Sequence, residues 1–143
     1  MHTDTNKKTV TAFIGQVWNG GDFSVLPELL TGDYRDYSFL PQLPPTREGL
    51  ELWVRNTSKA FDHHTTIESM ASEGDLVAVH IRLHVKHTGT WRGLAPTGKE
   101  VSVKGFRFFR MKDGKIAEQH ALIDGEALYH ELSGTCQGCT VER

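Results

Sequence analysis

The chain has 143 residues, enough for one domain with one core and too few for two ordinary ones. A formal charge of −2 gives none of the basic field that nucleic acid or anionic lipid would need. No apolar run is long enough to span a bilayer, and the opening MHTDTNKK has no signal-peptide core, so a cytoplasmic protein is expected.

Val10, Phe13, Ile14, Val17 and Trp18 recur at helical spacing and predict an amphipathic helix over residues 6–18. Asn19-Gly20-Gly21 stops it, and Asp22 is placed to cap a shorter helix that reaches Leu30. Residues 33–39 read as extended and aromatic. Pro41, Pro44 and Pro45 then impose an irregular loop. Thr46 suits the N-cap of a third helix, with Leu50, Trp53, Val54 and Phe61 on its buried face.

Beyond that helix the period changes to two. Residues 65–71 and 76–87 flank Glu73-Gly74-Asp75, a turn signal, and the second run alternates Val77, Val79, Ile81, Leu83 and Val85 against more polar positions. Residues 99–111 form a further strand, and Asp113-Gly114 is a tight hairpin turn into GKIAEQHALID, residues 114–124. A short helix containing Leu128 and Leu132 follows from Gly125. Helices first and antiparallel strands after predict an α+β fold in one domain, residues 1–132. Residues 133–143 read as a tail. Its Cys136 and Cys139 are spaced C-x-x-C, without the strand–helix context of a redox motif or the two further ligands of a zinc site.

The hairpin defines two faces. A two-residue turn pairs Met111 with Ile116, Phe109 with Glu118, Arg107 with His120 and Val103 with Asp124. Ionisable Arg107, Glu118, His120 and Asp124 then share a face with Phe109, Ile116 and Leu122. A cavity wall on one side of the sheet and a subunit contact on the other would account for the mixture. A one-residue slip would exchange the faces.

Four segments occur in a telling order: VWNGGDFSVLPELLTGDYRDYS (17–38), AFDHHTTIESMASEGDLVA (60–78), HTGTWRGLAPTGKEVSVKG (87–105) and DGKIAEQHALID (113–124). Together, over roughly residues 10–132, they resemble the SnoaL-like polyketide cyclases, also called ester cyclases. The resemblance implies a nuclear-transport-factor-2-like cone, a strongly curved antiparallel sheet wrapped by helices. It also implies ring closure by intramolecular aldol condensation without metal or organic cofactor. The family's acid/base residue is an aspartate at the end of the final strand, and the matching position is Asp124. Some positions depart from the family pattern. Tyr37 replaces a histidine, Ala60-Phe61-Asp62 lacks the family's proline, Val85-Lys86-His87 replaces Gly-Thr-His, and His120 replaces an aromatic residue.

The expected chemistry is proton abstraction beside a carbonyl and return of a proton to the new alkoxide. Asp124 follows Ala121, Leu122 and Ile123, and an apolar wall would lift its pKa toward neutrality; the plainer role is to cap the helix from Gly125. His120 either touches the other end of a ligand or is a core histidine held by Glu118, Arg107 or backbone. His87 either orients a substrate carbonyl or fixes its loop. Tyr34, Trp53, Trp91 and Phe109 are candidates to line the pocket, whereas Trp18 and Phe61 read as ordinary core. Arg107 either binds an anionic or carbonyl group or pairs with Glu118. Eight histidines without H-E-x-x-H do not make a metal motif. The expectation is a homodimer, joined through the sheet, that binds an apolar oxygenated small molecule without cofactor. The alternative is a non-catalytic binding module on the same cone.

Overall fold

The computed structural model describes residues 2–38 and 41–134. Cys136 and Cys139 lie outside the described residues.

Helix α1, His2–Ala12, continues without a break into a π-helical stretch, Phe13–Asn19, which buries Phe13, Ile14, Val17 and Trp18. The helix starts four residues earlier than the apolar pattern implied, with Asp4 in its first turn, where the helix dipole favours a carboxylate. Asp22 caps as expected, accepting from the Ser24 N–H at 3.0 Å. It starts only a 3-10 turn, Phe23–Val25, and a short α2, Leu26–Leu29, before β1, Leu30–Asp36.

Thr46 precedes α3, Arg47–Ala60, in extended conformation. Phe61 is not on α3. It opens β2, Phe61–Glu73, because that strand pairs along its whole length with β3, Leu76–His87, from Phe61 opposite His87 to Glu73 opposite Leu76. A long ladder, broken only by a register shift between Ile67 and Ser69, outweighs the helical spacing of one aromatic residue. β4 spans Glu100–Lys112, β5 spans Lys115–Ile123, and α4 spans Gly125–Ser133.

The sheet order is β1-β5-β4-β3-β2. Strands β2 to β5 are antiparallel, and β1 joins the edge parallel to β5. The sheet is curved, and its inner face, with Val77, Val79, Ile81, Phe109, Met111 and Ile116, packs on Val10, Phe13, Ile14 and Val17. A second cluster, with Phe61, Val85, Val103, Leu128 and Leu132, fills the end under α4. Gly105 lies between them, and a Cβ there would sit 2.5 Å from Ile123 Cδ1. Among the described residues no helix is long and apolar enough to cross a membrane.

The β4–β5 hairpin turns as expected but does not stay in register. Asp113 and Gly114 have φ of 52° and 77°, the left-handed pair that a tight hairpin turn needs, and Met111 faces Ile116. The register then shifts, and Arg110 faces Glu118, which leaves Ala117 as the extra residue of a bulge. Phe109 therefore pairs with Gln119 and Arg107 with Ala121, not with Glu118 and His120. From the bulge onward β5 exchanges its faces. Gln119 is buried on the inner side, whereas His120 and Leu122 are exposed on the outer side.

Candidate active site

β1 and β5 run side by side, with Asp36 opposite Gln119, and bring Tyr34, Asp36 and Gln119 together at the inner edge of the sheet. Arg107 Nη1 donates to Gln119 Oε1 at 2.9 Å. Only the amide oxygen can accept from a guanidinium, so the Gln119 Nε2 faces the other way. It donates to Tyr34 Oη at 2.9 Å and to Asp36 Oδ2 at 3.0 Å, and the Tyr34 hydroxyl is 3.4 Å from the same carboxylate oxygen. Asp36 Oδ1 accepts from the Ser38 N–H at 2.9 Å.

Two tryptophans close over the arginine. Its Cζ lies 4.5 Å from the Trp18 ring and 5.3 Å from the Trp53 ring, and the two indoles meet edge to face at 4.9 Å. Burial lowers the Arg107 pKa to about 10, with Asp36 and Tyr34 opposing the shift, so the side chain remains a cation at neutral pH. Burial, reinforced by the charge of Asp36, holds the Tyr34 phenol well above its ordinary value. Arg107 Nε and Trp18 Nε1 are buried without a hydrogen-bond partner.

Asp36 and Trp53 also line a cavity of about 430 Å³, walled by Leu43, Leu50, Pro44 and Pro45 and bordered by His120. The volume suits a drug-sized ligand. A carboxylate backed by a buried cation, in an apolar cavity, is an arrangement able to move a proton and to stabilise a developing negative charge.

Of the residues singled out from the sequence, Tyr34, Trp53 and Arg107 meet in this network. Phe109 does not reach the cavity: it packs at 5.8 Å against Phe13 in the core. His120 faces outward because of the Ala117 bulge, stacks on Tyr37 at 5.2 Å and approaches Glu118 at 3.9 Å. His87 is fully buried eight residues along β3 from Val79, the partner of Arg107, about 26 Å of extended chain. Its Nδ1 accepts from the Thr97 N–H at 3.2 Å, and its backbone bonds both Gly98 and Lys99, so it fixes the loop before β4. Trp91 packs on Phe61 in the same region. Among the described residues no group of three or more His, Cys, Asp or Glu is placed to hold a metal.

Asp124 starts α4. Its carboxylate accepts from the Ala127 N–H at 3.0 Å, and it lines neither the cavity above nor the trough on the outer sheet face described below. Asp124→Ala is expected to cost about 1 kcal/mol of stability through the lost cap, read as a lower urea midpoint with unchanged slope. An unchanged midpoint would contradict that role.

Asp36 and Gln119 are functional candidates that the sequence did not reveal. Tyr34 and Asp36 stand two apart in an extended segment, which was the available signal. Gln119 was hidden by the bulge.

The SnoaL-like polyketide cyclase family model matches residues 8–132. The chain belongs to this family. Its sequence is 27% identical over 113 residues to the aklanonic acid methyl ester cyclase AcmA of Streptomyces galilaeus, covering 71% of this chain and 78% of that protein. AclR from Streptomyces galilaeus superposes with a TM-score of 0.80 at 25% identity, over 94% of this chain and 99% of that one. IdmH from Streptomyces antibioticus gives 0.80 at 25% identity, over 90% and 98%. These likenesses show the fold to be the SnoaL-like, nuclear-transport-factor-2-like cone.

Proposed function

We propose that this SnoaL-like protein closes a ring in an apolar oxygenated small molecule by intramolecular aldol chemistry, with Asp36 as the acid/base. The observation that carries the reading is the hydrogen-bonded chain Arg107–Gln119–Asp36, with Asp36 and Trp53 on the wall of one cavity. Asp36 takes a proton from the carbon beside a carbonyl. The enolate carbon attacks a second carbonyl of the same molecule and forms one C–C bond. The alkoxide then takes the proton back, so nothing is gained or lost and no oxidant or reductant is consumed. The buried charge of Arg107 offsets the negative charge as it moves from carboxylate to enolate.

Aklanonic acid methyl ester, the compound in the name of the relative AcmA, is the first substrate to try. Aldol closure conserves mass, so product is read by chromatographic retention and carbon NMR. The expected result is ring-closed product from wild type and from Asp124→Asn, and none above background from Asp36→Asn. Loss of product in Asp124→Asn alone would move the acid/base to the end of β5, as the family resemblance implies. Saturable binding without product in wild type would make the protein a binding module.

The partner of the outer sheet face is, in this reading, a second copy of the chain. That face holds an apolar trough of about 620 Å³ lined by Phe106, Phe108, Leu122, His80, His120 and Tyr37. Phe106 and Phe108 are each 52% exposed and Leu122 is 74% exposed, a contiguous apolar surface rather than scattered single residues. A two-fold contact would set each patch against itself. Phe108→Glu is then expected to convert a dimer to a monomer in light scattering. A monomeric wild type at all concentrations, or an unaltered dimer in the variant, would remove this proposal.

A further inference from the structure

Asp36 is held from both faces of the sheet, and only the inner hold belongs to the Arg107 network. β1 is an edge strand, and its pairing with β5 near Asp36 is brief: Arg35 faces Glu118 and Asp36 faces Gln119, after a register shift. Just beyond, the Tyr37 N–H donates to the Gln119 carbonyl at 2.7 Å, and Ser38 Oγ accepts from the Ala121 N–H at 2.7 Å. The carboxylate therefore sits at the end of an edge strand held by few bonds, the kind of segment that opens at low cost.

Successive side chains of an extended segment point to opposite faces. Asp36 meets Gln119 on the inner face, and the next residue, Tyr37, meets the next residue of β5, His120, on the outer face. The two rings stack with 5.2 Å between centroids and 20° between planes. Glu118, two residues before His120, approaches the imidazole Nε2 at 3.9 Å. Tyr37 is 51% exposed and the His120 side chain 53%, so neither ring serves to fill the core. Both border the Asp36 cavity. Asp36 Oδ1 accepts from the N–H of Ser38, the residue on the other side of Tyr37. A swing of Tyr37 away from β5 thus takes with it the N–H that orients the carboxylate.

We propose that the Tyr37–His120 stack is an outer clamp that positions Asp36 from behind the sheet. Gln119 fixes one carboxylate oxygen from the inner face, and the stack keeps the Ser38 N–H on the other. His120 acts through Asp36, by its ring and not by its charge. The proposal rests on the reading of Asp36 as the acid/base and deepens it, but the clamp itself is measurable without substrate.

The test is amide hydrogen exchange of the full chain, read at the Ser38 N–H, beside turnover of aklanonic acid methyl ester. His120→Ala is expected to speed Ser38 exchange about 3–10-fold, the scale of one aromatic pair, and to leave β3 and β4 unaltered. His120→Phe, which keeps a ring, should exchange as wild type does. Tyr37→Ala should match His120→Ala, and the double variant should go no further, because one stack is lost in all three. In turnover, kcat should fall about 10-fold in His120→Ala at unchanged KM and recover in His120→Phe, since a small displacement of a reacting group is costly. Unaltered Ser38 exchange in His120→Ala, additive effects in the double variant, or a His120→Phe as impaired as His120→Ala would overturn the clamp. Faster exchange with unchanged kcat, or a raised KM alone, would overturn its role in positioning. Wild-type turnover in Asp36→Asn would be a failure of the acid/base reading, told apart because the exchange results stand without it.

Discussion

Asp36→Asn should lower turnover by about 10²–10⁴-fold, the range spanned by losing a positioned general acid/base. The amide keeps the size of the carboxylate, and its single oxygen can still accept from Gln119 Nε2 and Tyr34; the Ser38 N–H then loses its acceptor, and proton transfer fails. The decisive measurement is kcat at saturating substrate, with circular dichroism to show an unaltered fold. A kcat within threefold of wild type would exclude Asp36 from the chemistry. An unchanged kcat with a raised KM would assign it to binding alone.

Arg107→Met should destabilise the protein by roughly 3–5 kcal/mol, the range for removing one partner of a buried charge network. Methionine fills similar space and relieves the cost of burying a cation. It also leaves Gln119 Oε1 without its donor, Asp36 without a nearby positive charge, and the two indoles without the guanidinium between them. A pH signature accompanies the loss. The folded-state pKa of Arg107 lies near 10, below its ordinary 12.5, so above pH 10 the unfolded chain binds more protons at this position and the residue's contribution to stability rises with pH. Tyr34 acts in the opposite sense. Its phenol is held well above 10 in the fold, so the unfolded chain ionises first and stability falls above pH 10. The two slopes oppose each other in the wild type, and Arg107→Met leaves only the fall. Urea midpoints at pH 9 and pH 11 should therefore diverge more in the variant than in wild type. Parallel behaviour would refute the coupling, and a midpoint at or above that of wild type at pH 7 would refute the network's contribution to stability.

Both predictions depend on a site that was only partly readable in advance. Tyr34, Trp53 and Arg107 could be nominated because their types and positions suit a pocket. Their meeting point could not, because β1 reaches the sheet as a parallel neighbour of β5, its partner some 85 residues later in the chain. The Asp113-Gly114 turn was legible because few residues tolerate two successive positive φ values. The bulge at Ala117, immediately after Ile116, was not, because an alanine in a strand carries no such mark.

The same contrast separates Asp124 from His120. The aspartate's capping role follows from chemistry within four residues, and the structure contains the cap bond. The histidine's orientation depends on register, which one unpaired residue inverts. Local rules govern the order of helices and strands, their amphipathic faces, the hairpin turn and the helix caps, and these, with the family, are legible in the chain alone. Which β5 side chains face inward, and which carboxylate meets the cavity, was settled only by assembly of the whole fold. Strand register and the approach of distant segments depend on packing across the entire sheet, and no local run of residues encodes them.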